Sequence, residues 1–175
     1  MLSGSNSSTN HHYWIMKKIL ILLLLLLPSI AWAAQKADFV LVNKSEAKLF
    51  LISDGQVFRE FRVAFGGNPQ GHKEQEGDQR TPEGKYVLDY KKEDSAFYKA
   101  IHISYPSAVD TQRAEDRGVN PGGLIMIHGQ RNGFGWLSFI TQRFNWTNGC
   151  IAVTNPEMEE IWQAVDAGTP IEIVP

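Results

Sequence analysis

The feature that most constrains the fold is a succession of short runs of β-branched, aliphatic and aromatic residues, separated by turn residues. Asp38–Asn43 and Lys48–Ser53 are rich in Val, Leu, Ile and Phe, and Asp54-Gly55 then offers a two-residue turn into Gln56–Phe65. Strands joined by such a turn form a hairpin. The pattern therefore predicts a β-hairpin at the start of the domain and a sheet of short strands.

The rest of the chain continues this pattern and adds helical segments. Further strands are predicted at Lys85–Lys91, Lys99–Ser104, Leu124–Ile127, Ile151–Val153 and Ile171–Val174. Ser107–Arg117 predicts a short surface helix, and Trp136–Trp146 predicts a short helix or a flap. Another helix begins at Thr154, with Pro156 in its first turn and Glu157 three residues after the cap. We predict a mainly β fold, a β-rich mixed sheet or sandwich with a short C-terminal helix.

Two histidines lie outside the C-terminal third, and the sequence favours exposure to water for both. The glycine-rich segment Gly66–Arg80 has no hydrophobic periodicity and is predicted to be an exposed loop, so its His72 is expected to be solvated. His102 alternates with Ile101 and Ile103 along a strand, and it faces either water or a neighbouring site. Exposure to water is the more common arrangement for a polar strand residue.

Composition bounds the size and class of the protein. At 175 residues, 43% of them hydrophobic and 21% charged, the chain is long enough for one globular domain and short for two. The formal net charge is -2 and the basic residues do not cluster, whereas nucleic-acid-binding proteins usually carry a clustered basic excess. We therefore expect no nucleic acid as a partner.

A targeting segment precedes the domain. Met16-Lys17-Lys18 is a basic start, Ile19–Leu27 is an apolar run, and Ala31-Trp32-Ala33 is a small-x-small cleavage signal. Residues 16–33 are therefore predicted to be a signal peptide, and its removal would export the remaining 142 residues. Residues 1–15 are an upstream extension to which we assign no function.

The alternative to a signal peptide is an uncleaved membrane anchor. Ile19–Ala34 has only 16 residues and is broken by Pro28, whereas a membrane span needs about 20 apolar residues. Whether the segment is cleaved stays open, and an uncleaved leader would be the chain's contact with the membrane. In either case the domain is expected to be exported.

Cys150 is the only cysteine of the chain. Oxidising compartments favour paired cysteines, and a single one forms no intramolecular disulfide. Cys150 is therefore buried and inert, bonded to another chain, or a working thiol.

The residues around Cys150 favour a working thiol. A free thiol is mostly protonated near neutral pH and needs a nearby base, for which His128, at the end of the predicted Leu124–Ile127 strand, is the candidate. Gly149 lets a substrate carbonyl approach the backbone, where the N–H groups of Gly149 and Cys150 are predicted to stabilise an oxyanion. The carbonyl of Gly129, or of a loop residue, would orient the imidazole.

The sequence resembles the catalytic domain of the L,D-transpeptidase family (YkuD-like) over residues 38–174. Four segments carry the resemblance: Ile127-His128-Gly129, the run from Thr147-Asn148-Gly149-Cys150 to Asn155, Thr81-Pro82-Glu83-Gly84-Lys85-Tyr86, and Gly168 to Ile173. The resemblance implies a β-rich domain in the periplasm or cell envelope that acts on peptidoglycan stem peptides, in cell wall biogenesis and cell shape. It implies Cys150 as nucleophile, His128 as base, Thr147 and Gly149 as motif residues, and no cofactor or metal.

Two positions depart from the family pattern. Asn148 stands where the family usually has a second histidine, and Ala152 stands where arginine or asparagine commonly follows the cysteine. The first departure affects how the loop before Cys150 is braced, and the second removes a polar group that would contact substrate. The chain therefore resembles a divergent branch, for which the acceptor stays open.

The resemblance implies acyl transfer through a thioester. The thiolate attacks the carbonyl of the L-centre of a diamino acid in a tetrapeptide stem, and the terminal D-alanine leaves. The acceptor is an amine of another stem, a lysine of a wall-anchored protein, or water, which would make the enzyme a peptidase. Trp136 and Trp146 flank the site in sequence and either line a substrate groove or pack in the core.

Two hypotheses from other classes remain. A metal-dependent wall peptidase would use His72, His102 and His128, although no short histidine spacing typical of a metal site occurs. A non-catalytic peptidoglycan-binding module would keep Cys150 buried in the sheet. The oligomeric state is not predicted.

Overall fold

The computed structural model describes residues 35–175, which form one curled mixed β-sheet with three helices. The strands are β1 (Phe39–Asn43), β2 (Lys48–Ser53), β3 (Gln56–Arg62), β4 (Gly84–Lys92), β5 (Ala100–Ile103), β6 (Met126–His128), β7 (Ile151–Ala152) and β8 (Thr169–Val174). The helices are α1 (Ala108–Asp116), α2 (Ser138–Thr141) and α3 (Asn155–Ala164), and a turn of 3-10 helix at Gly135–Leu137 precedes α2. The predicted mainly β fold with a C-terminal helix is confirmed.

Two predictions for the N-terminal part of the chain concern residues that the structure does not describe. The upstream extension at residues 1–15 and the signal peptide at residues 16–33 both lie outside the described residues. Among residues 35–175, no helix is both long and apolar enough to cross a bilayer.

The strand order of the sheet is β3-β2-β1-β8-β4-β5-β6-β7. The pairs β1–β8 and β6–β7 are parallel, and the other neighbours are antiparallel. The hairpin predicted around Asp54-Gly55 joins β2 and β3 at the edge of the sheet. The last strand in sequence lies in the middle of the sheet, because β8 is inserted between β1 and β4.

The two ends of the sheet meet at a seam. Just after β3, Ala64 exchanges two backbone hydrogen bonds with Ala152 of β7, at 2.9 and 2.8 Å. Closer to Cys150, the backbone N–H of Thr147 donates to the carbonyl of Phe65, and the carbonyl of Thr147 accepts the N–H of Gly67, both at 3.1 Å. The sheet is therefore curled back on itself, and the seam includes the segment that leads into Cys150.

The core lies on one face of this curled sheet. Alternate residues of the central strands are buried, as a sheet with one solvated face requires, and α3 packs against them through Met158 and Ile161. The buried strand residues include Val40, Val42, Leu49, Leu51, Leu88, Ile101, Ile127, Ile151, Ile171 and Ile173. Each such side chain contributes about 1.5–3 kcal/mol when it leaves water.

Both longer helices begin with a capping box. Ser107 and Asp110 cap α1 reciprocally, and Thr154 and Glu157 do the same for α3, with Pro156 in the first turn. Such caps satisfy backbone N–H groups that a helix start otherwise leaves free. The helix predicted to begin at Thr154 is thus present, and it ends at Ala164.

The predicted strand Leu124–Ile127 begins later than expected. β6 starts at Met126, and Leu124 is 70% exposed with a φ of +55°. A leucine rarely adopts this left-handed conformation, so the apolar run is interrupted before the strand. The prediction of an unbroken buried strand was wrong at Leu124.

The segment Gly66–Arg80 lacks regular structure, but it is not simply solvated. Lys73 is 3% exposed, and its ammonium donates to Asp78 at 2.8 Å and to the carbonyl of Gln75 at 3.0 Å. Burial raises the pKa of the Asp78 carboxyl, but the lysine and three backbone N–H donors outweigh burial and hold that pKa below its usual value. A buried ion pair therefore organises this loop.

The expectation that His72 is solvated was wrong, and His102, for which two orientations stayed open, has a side chain that is 13% exposed. His72 is held on both sides: its Nδ1 accepts the Glu83 N–H at 3.0 Å, and its Nε2 lies 3.1 Å from a carboxylate oxygen of Asp110. His102 pairs with Asp89 at 2.7 Å and stacks on a tyrosine ring. Both histidines are paired within the scaffold rather than solvated.

Candidate active site

The register of β6 and β7 places Cys150 and His128 on the same face of the sheet. These parallel strands pair Ile127 with Ile151 and His128 with Ala152, so Cys150 lies opposite Met126. Side chains alternate between faces along a strand, and residues two apart share a face. Cys150 and His128 are therefore diagonal neighbours, with their Cα atoms about 8 Å apart.

The imidazole of His128 is fixed by three neighbours. The residue is 2% exposed, and its Nδ1 lies 2.6 Å from the carbonyl oxygen of Gly129, to which only an N–H can donate. The ring stacks on Phe97, with centroids 4.1 Å apart, and meets Trp146 edge-on at 5.9 Å. With the proton on Nδ1, the other ring nitrogen, Nε2, is left as a hydrogen-bond acceptor and a base.

Burial keeps both candidate catalytic groups neutral at rest. It lowers the pKa of His128, and the hydrogen bond to Gly129 only partly opposes this shift. Burial also raises the pKa of the Cys150 thiol, although the N–H of Met126 and the positive charge of Lys73 favour the thiolate. Both shifts favour a thiol and a neutral imidazole over a thiolate–imidazolium pair in the resting site.

The thiol is directed toward the beginning of β6. Cys150 is a half-buried free cysteine, and its Sγ lies 3.6 Å from the carbonyl oxygen of Leu124. This contact leaves the proton away from the imidazole. Transfer of the proton to His128 requires the thiol to turn along the strand direction, and catalytic hydrogen bonds commonly form only once substrate is bound.

The loop Thr147–Cys150 is braced by the hydroxyl of Thr147. Its Oγ1 donates to the carbonyl of Cys150 at 2.7 Å and accepts the N–H of Gly149 at 3.1 Å. Gly149 has a φ of +124°, and a Cβ there would lie 2.6 Å from the carbonyl oxygen of Arg80. Only glycine fits this position.

The same contacts revise the predicted oxyanion donors. The N–H of Gly149 is already engaged by Thr147, so it is not available as first expected. For the N–H of Cys150, no acceptor is found among residues 35–175. Ala152, where the family commonly has a polar residue, is fully buried at the seam.

A cleft of about 400 Å³ reaches the loop before Cys150 through Asn148. Ile125, one residue after Leu124, lines one wall of the cleft, and the exposed side chain of Asn148 also lines it. The buried ammonium of Lys73 lies in the opposite loop. The lining residues are Lys73, Glu76, Gly77, Gln79, Gly122, Gly123, Ile125 and Asn148.

Gln130 connects the histidine strand to the surrounding helices. The side chain is 1% exposed, donates to the carbonyl of Val153 at 2.7 Å and accepts from the Thr141 hydroxyl at 2.6 Å. Its backbone N–H donates to the side chain of Asn155 at the start of α3, at 2.8 Å. Gly129 lies tightly against the same asparagine. Hydrogen bonds of this kind hold a catalytic strand end in place.

Several of these residues were not found from the sequence. Phe97, Lys73 and Gln130 come from separate segments, and each looks like an ordinary core, loop or turn residue in sequence. Only the curled sheet brings them to the site. A charged residue inside a glycine-rich loop carries no local signal of burial.

The two tryptophans predicted for a substrate groove differ in position. Trp146 lies beside His128 and Phe97, and its indole nitrogen is buried without a hydrogen-bond partner among residues 35–175. Trp136 is 70% exposed at the start of the segment that carries α2. Only Trp146 lies against the candidate catalytic histidine.

The metal alternative finds no cluster in the described part of the chain. Between residues 35 and 175, no group of three or more His, Cys, Asp or Glu side chains is arranged to hold a metal ion. His72 and His102 are engaged by Asp110 and Asp89, and they do not converge with His128.

The fold and the shared face of His128 and Cys150 indicate a protein family, and a comparison with family models identifies the same one. The chain belongs to the YkuD family, the L,D-transpeptidase catalytic domain, whose model matches residues 37–173. The resemblance inferred from the sequence motifs is thereby confirmed.

Individual relatives match parts of this domain. YafK of Escherichia coli (strain K12) is 31% identical over 112 residues, which are 63% of this chain and 38% of YafK. YqjB of Bacillus subtilis (strain 168) is 27% identical over 139 residues, which are 77% of this chain and 70% of YqjB. Both are named as L,D-transpeptidases, and both names mark the activity as provisional.

Solved structures share the fold. The helical cell shape determining protein Pgp2 from Campylobacter jejuni has a TM-score of 0.58 and 27% identity, covering 77% of this chain and 46% of Pgp2. An L,D-transpeptidase from Mycobacterium smegmatis has a TM-score of 0.52 at 14% identity, which shows the fold alone. The chain thus spans less than half the length of YafK and of Pgp2.

Proposed function

We propose that this chain is an exported, cysteine-dependent L,D-transpeptidase that acts on peptidoglycan stem peptides through a thioester acyl-enzyme. The observation that carries the proposal is the shared face of Cys150 and His128 on adjacent strands, with Nε2 of the histidine free to accept a proton. Membership of the L,D-transpeptidase family supports the substrate class.

The first half-reaction forms the thioester. Nε2 of His128 takes the thiol proton while the Cys150 sulfur attacks the carbonyl carbon of the stem peptide, and the carbonyl electron pair moves to its oxygen. A neutral imidazole is needed for this step, and the lowered pKa of His128 supplies it. When the tetrahedral intermediate collapses, the C–N bond breaks and the imidazolium gives its proton to the departing amine of the terminal D-amino acid.

The negative oxygen of that intermediate needs hydrogen-bond donors. We assign this role to the N–H of Cys150, which is free of the contacts that occupy the N–H of Gly149. Thr147 supports it indirectly, because its hydroxyl holds the carbonyl of Cys150. Asn148 at the rim of the cleft is available to bind substrate in place of the usual histidine.

The second half-reaction transfers the acyl group to an acceptor. His128 again acts as base, now removing a proton from the acceptor while the Cys150 sulfur leaves as the thiol. An amine of a second stem gives a cross-link, a lysine of a wall-anchored protein gives an attachment, and water gives a peptidase. The description of Pgp2 as a helical cell shape determining protein supports a role in the cell wall.

We also propose the domain organisation on which export depends. Residues 16–33 act as the signal peptide, residues 38–174 form the catalytic domain, and no role is assigned to residues 1–15. The site then faces peptidoglycan in the periplasm or cell envelope. Mass spectrometry of the chain recovered from a Gram-negative periplasm tests this, because cleavage before Ala34 leaves 142 residues.

Intact-mass spectrometry of the protein with a tetrapeptide muropeptide, or with a carbapenem, tests the mechanism. We expect an adduct on Cys150 that is absent in Cys150→Ala and strongly reduced in His128→Ala. His102→Ala is the matched control, since this histidine pairs with Asp89 and lies outside the site. An adduct elsewhere, or none with the parent protein despite muropeptide binding, would instead favour the non-catalytic binding module.

Product analysis separates the acceptors. Incubation with tetrapeptide muropeptides alone gives cross-linked dimers and free D-alanine for a transpeptidase, but tripeptides and free D-alanine for a peptidase. Adding a lysine-containing peptide gives a third product if a protein amine is the acceptor. Detection of tripeptide as the only product would contradict the transpeptidase assignment while leaving the Cys150 thioester intact.

A further inference from the structure

Half of the large exposed hydrophobic side chains in residues 35–175 lie in one short segment between His128 and Cys150. We call these five residues the aromatic patch: Phe134, Trp136, Phe139, Ile140 and Phe144, which are between 45% and 70% exposed. The other large exposed hydrophobic residues are scattered over β3, β4, α1 and the segment before β6. A cluster of exposed hydrophobic side chains on a protein surface usually marks an interaction site.

The aromatic patch is held outward by contacts on its inner side. The hydroxyl of Thr141 donates to the buried side chain of Gln130 at 2.6 Å, and Leu137, one helical turn earlier, is half-buried. Gly135 lies against the side chain of Asn155, where a Cβ would come within 2.7 Å of its amide nitrogen. The segment is therefore fixed to the scaffold by its polar and small residues, and its rings face solvent.

All the charged side chains of the segment are positive. From Gly129 to Trp146 it contains two arginines, Arg131 and Arg143, and no acidic residue, although the whole chain carries a net charge of -2. Both arginines are exposed, and within residues 35–175 neither guanidinium lies within salt-bridge distance of a carboxylate. Residues 91–94, at the end of β4 and directly after it, have two lysines and two carboxylates, so their formal charges cancel.

We propose that the aromatic patch, with Arg131 and Arg143, docks onto the surface of an anionic lipid bilayer. Trp and Phe rings lie favourably at the level of lipid headgroups, and arginines pair there with phosphates and carry their apolar stems into the interface. A carboxylate in the segment would be repelled by such a surface, and there is none. Docking would hold the candidate active site, with His128 and Cys150, close to the bilayer.

This surface is independent of the proposed chemistry, because no residue of the aromatic patch is assigned a catalytic role. Lipid is favoured over a sugar or peptide ligand because the side chains of the aromatic patch are exposed and none of them lines the cleft of about 400 Å³, which lies between Lys73 and Asn148. It is favoured over a two-fold contact with a second copy of the chain because such a contact would place Arg131 and Arg143 of one copy against the same arginines of the other, and like charges repel.

A polarity-sensitive fluorophore on the aromatic patch tests the proposal. The full chain carrying Cys150→Ala and Phe139→Cys, labelled at position 139, is mixed with vesicles of phosphatidylcholine containing phosphatidylglycerol, and with vesicles of phosphatidylcholine alone. We expect a blue shift with the anionic vesicles that weakens at high salt. Replacing Arg131 and Arg143 by Gln should weaken binding about 25-fold, since each basic residue at an anionic surface contributes about fivefold.

Two controls separate the patch from other causes of binding. A fluorophore at Val109→Cys, which is 57% exposed on α1, reports whether the leader alone brings the chain to vesicles, and we expect no shift there. Arg62→Gln with Lys85→Gln removes the same charge from other exposed positions and should leave binding unchanged. Equal shifts at positions 139 and 109, equal shifts with uncharged vesicles, a shift without vesicles that grows with protein concentration, or a shift with peptidoglycan fragments only would overturn the proposal.

Discussion

At the scale of single residues, the protonation states of His128 and Cys150 decide how the site operates with pH. The imidazole must be neutral to accept the thiol proton, and burial holds its pKa below the ordinary value of 6.5. A lowered pKa means that the neutral base persists to lower pH. We therefore expect the acid limb of kcat/KM for thioester formation to have its midpoint below pH 6.5. A midpoint above 6.5 would mean that His128 is stabilised as a cation.

The raised pKa of Cys150 predicts a thiol that reacts slowly in the absence of substrate. Its ordinary value is 9.0, and burial shifts the folded value above this, so little thiolate exists at pH 8. Iodoacetamide does not turn the thiol toward His128, so it reacts only with the thiolate that is already present. Alkylation should therefore be slower at pH 8 than for a cysteine in a short peptide, and its rate should increase above pH 9. Rapid alkylation at neutral pH, by contrast, would indicate a preformed thiolate–imidazolium pair.

At the scale of elements, the loop before β7 determines where the sulfur and the Cys150 N–H lie. Thr147→Val keeps the side-chain volume but removes the hydroxyl that bonds both Gly149 and Cys150. Leaving buried partners unpaired costs about 1–3 kcal/mol, and we expect a loss of that size in urea unfolding together with slower thioester formation. Thr111→Val is the control, because it removes a comparable hydroxyl bond within α1. Its rate of thioester formation should equal that of the parent.

Gly149, in the same loop, gives a second prediction, for which Gly168 outside the loop is the control. Gly149→Ala introduces a Cβ at a φ of +124° and 2.6 Å from the carbonyl of Arg80, whereas Gly168→Ala has a φ of +98° and open space. Both variants carry the strain of the left-handed region, about 1–3 kcal/mol. Gly149→Ala should be the less stable of the two in urea unfolding, and it should also lose activity. Equal unfolding midpoints would show that the loop moves away from Arg80 at little cost.

At the scale of the whole molecule, the position of β8 and the closed seam couple the site to the entire sheet. β8 pairs with β1 and β4 in the centre, and Ala64 joins Ala152 across the ends. Ile173→Ala should cost about 2–5 kcal/mol, as for other buried aliphatic truncations, and Val57→Ala at the exposed edge less than about 0.5 kcal/mol. In both, accessibility of Cys150 to a thiol reagent and far-UV circular dichroism should change at the same urea concentration. Exposure of Cys150 well before the sheet unfolds would contradict this coupling.

The sequence by itself determined the local structure and the chemistry on offer. Alternating apolar residues predicted most of the strands, the capping pattern at Thr154 predicted α3, and the motifs around His128 and Cys150 identified the family. These features depend on neighbouring residues, because side-chain alternation and helix capping are set within a few positions of the chain. They can therefore be read before the chain is folded.

Only the tertiary structure decided how distant segments meet. The central position of β8, the burial of Lys73 and the pairing of His72 depend on contacts between residues far apart in sequence. Leu124 is exposed although it belongs to an apolar run, because the strand that delivers His128 begins two residues later. Strand partners and buried charges are selected by the packing of the whole sheet, and local sequence carries no signal for them.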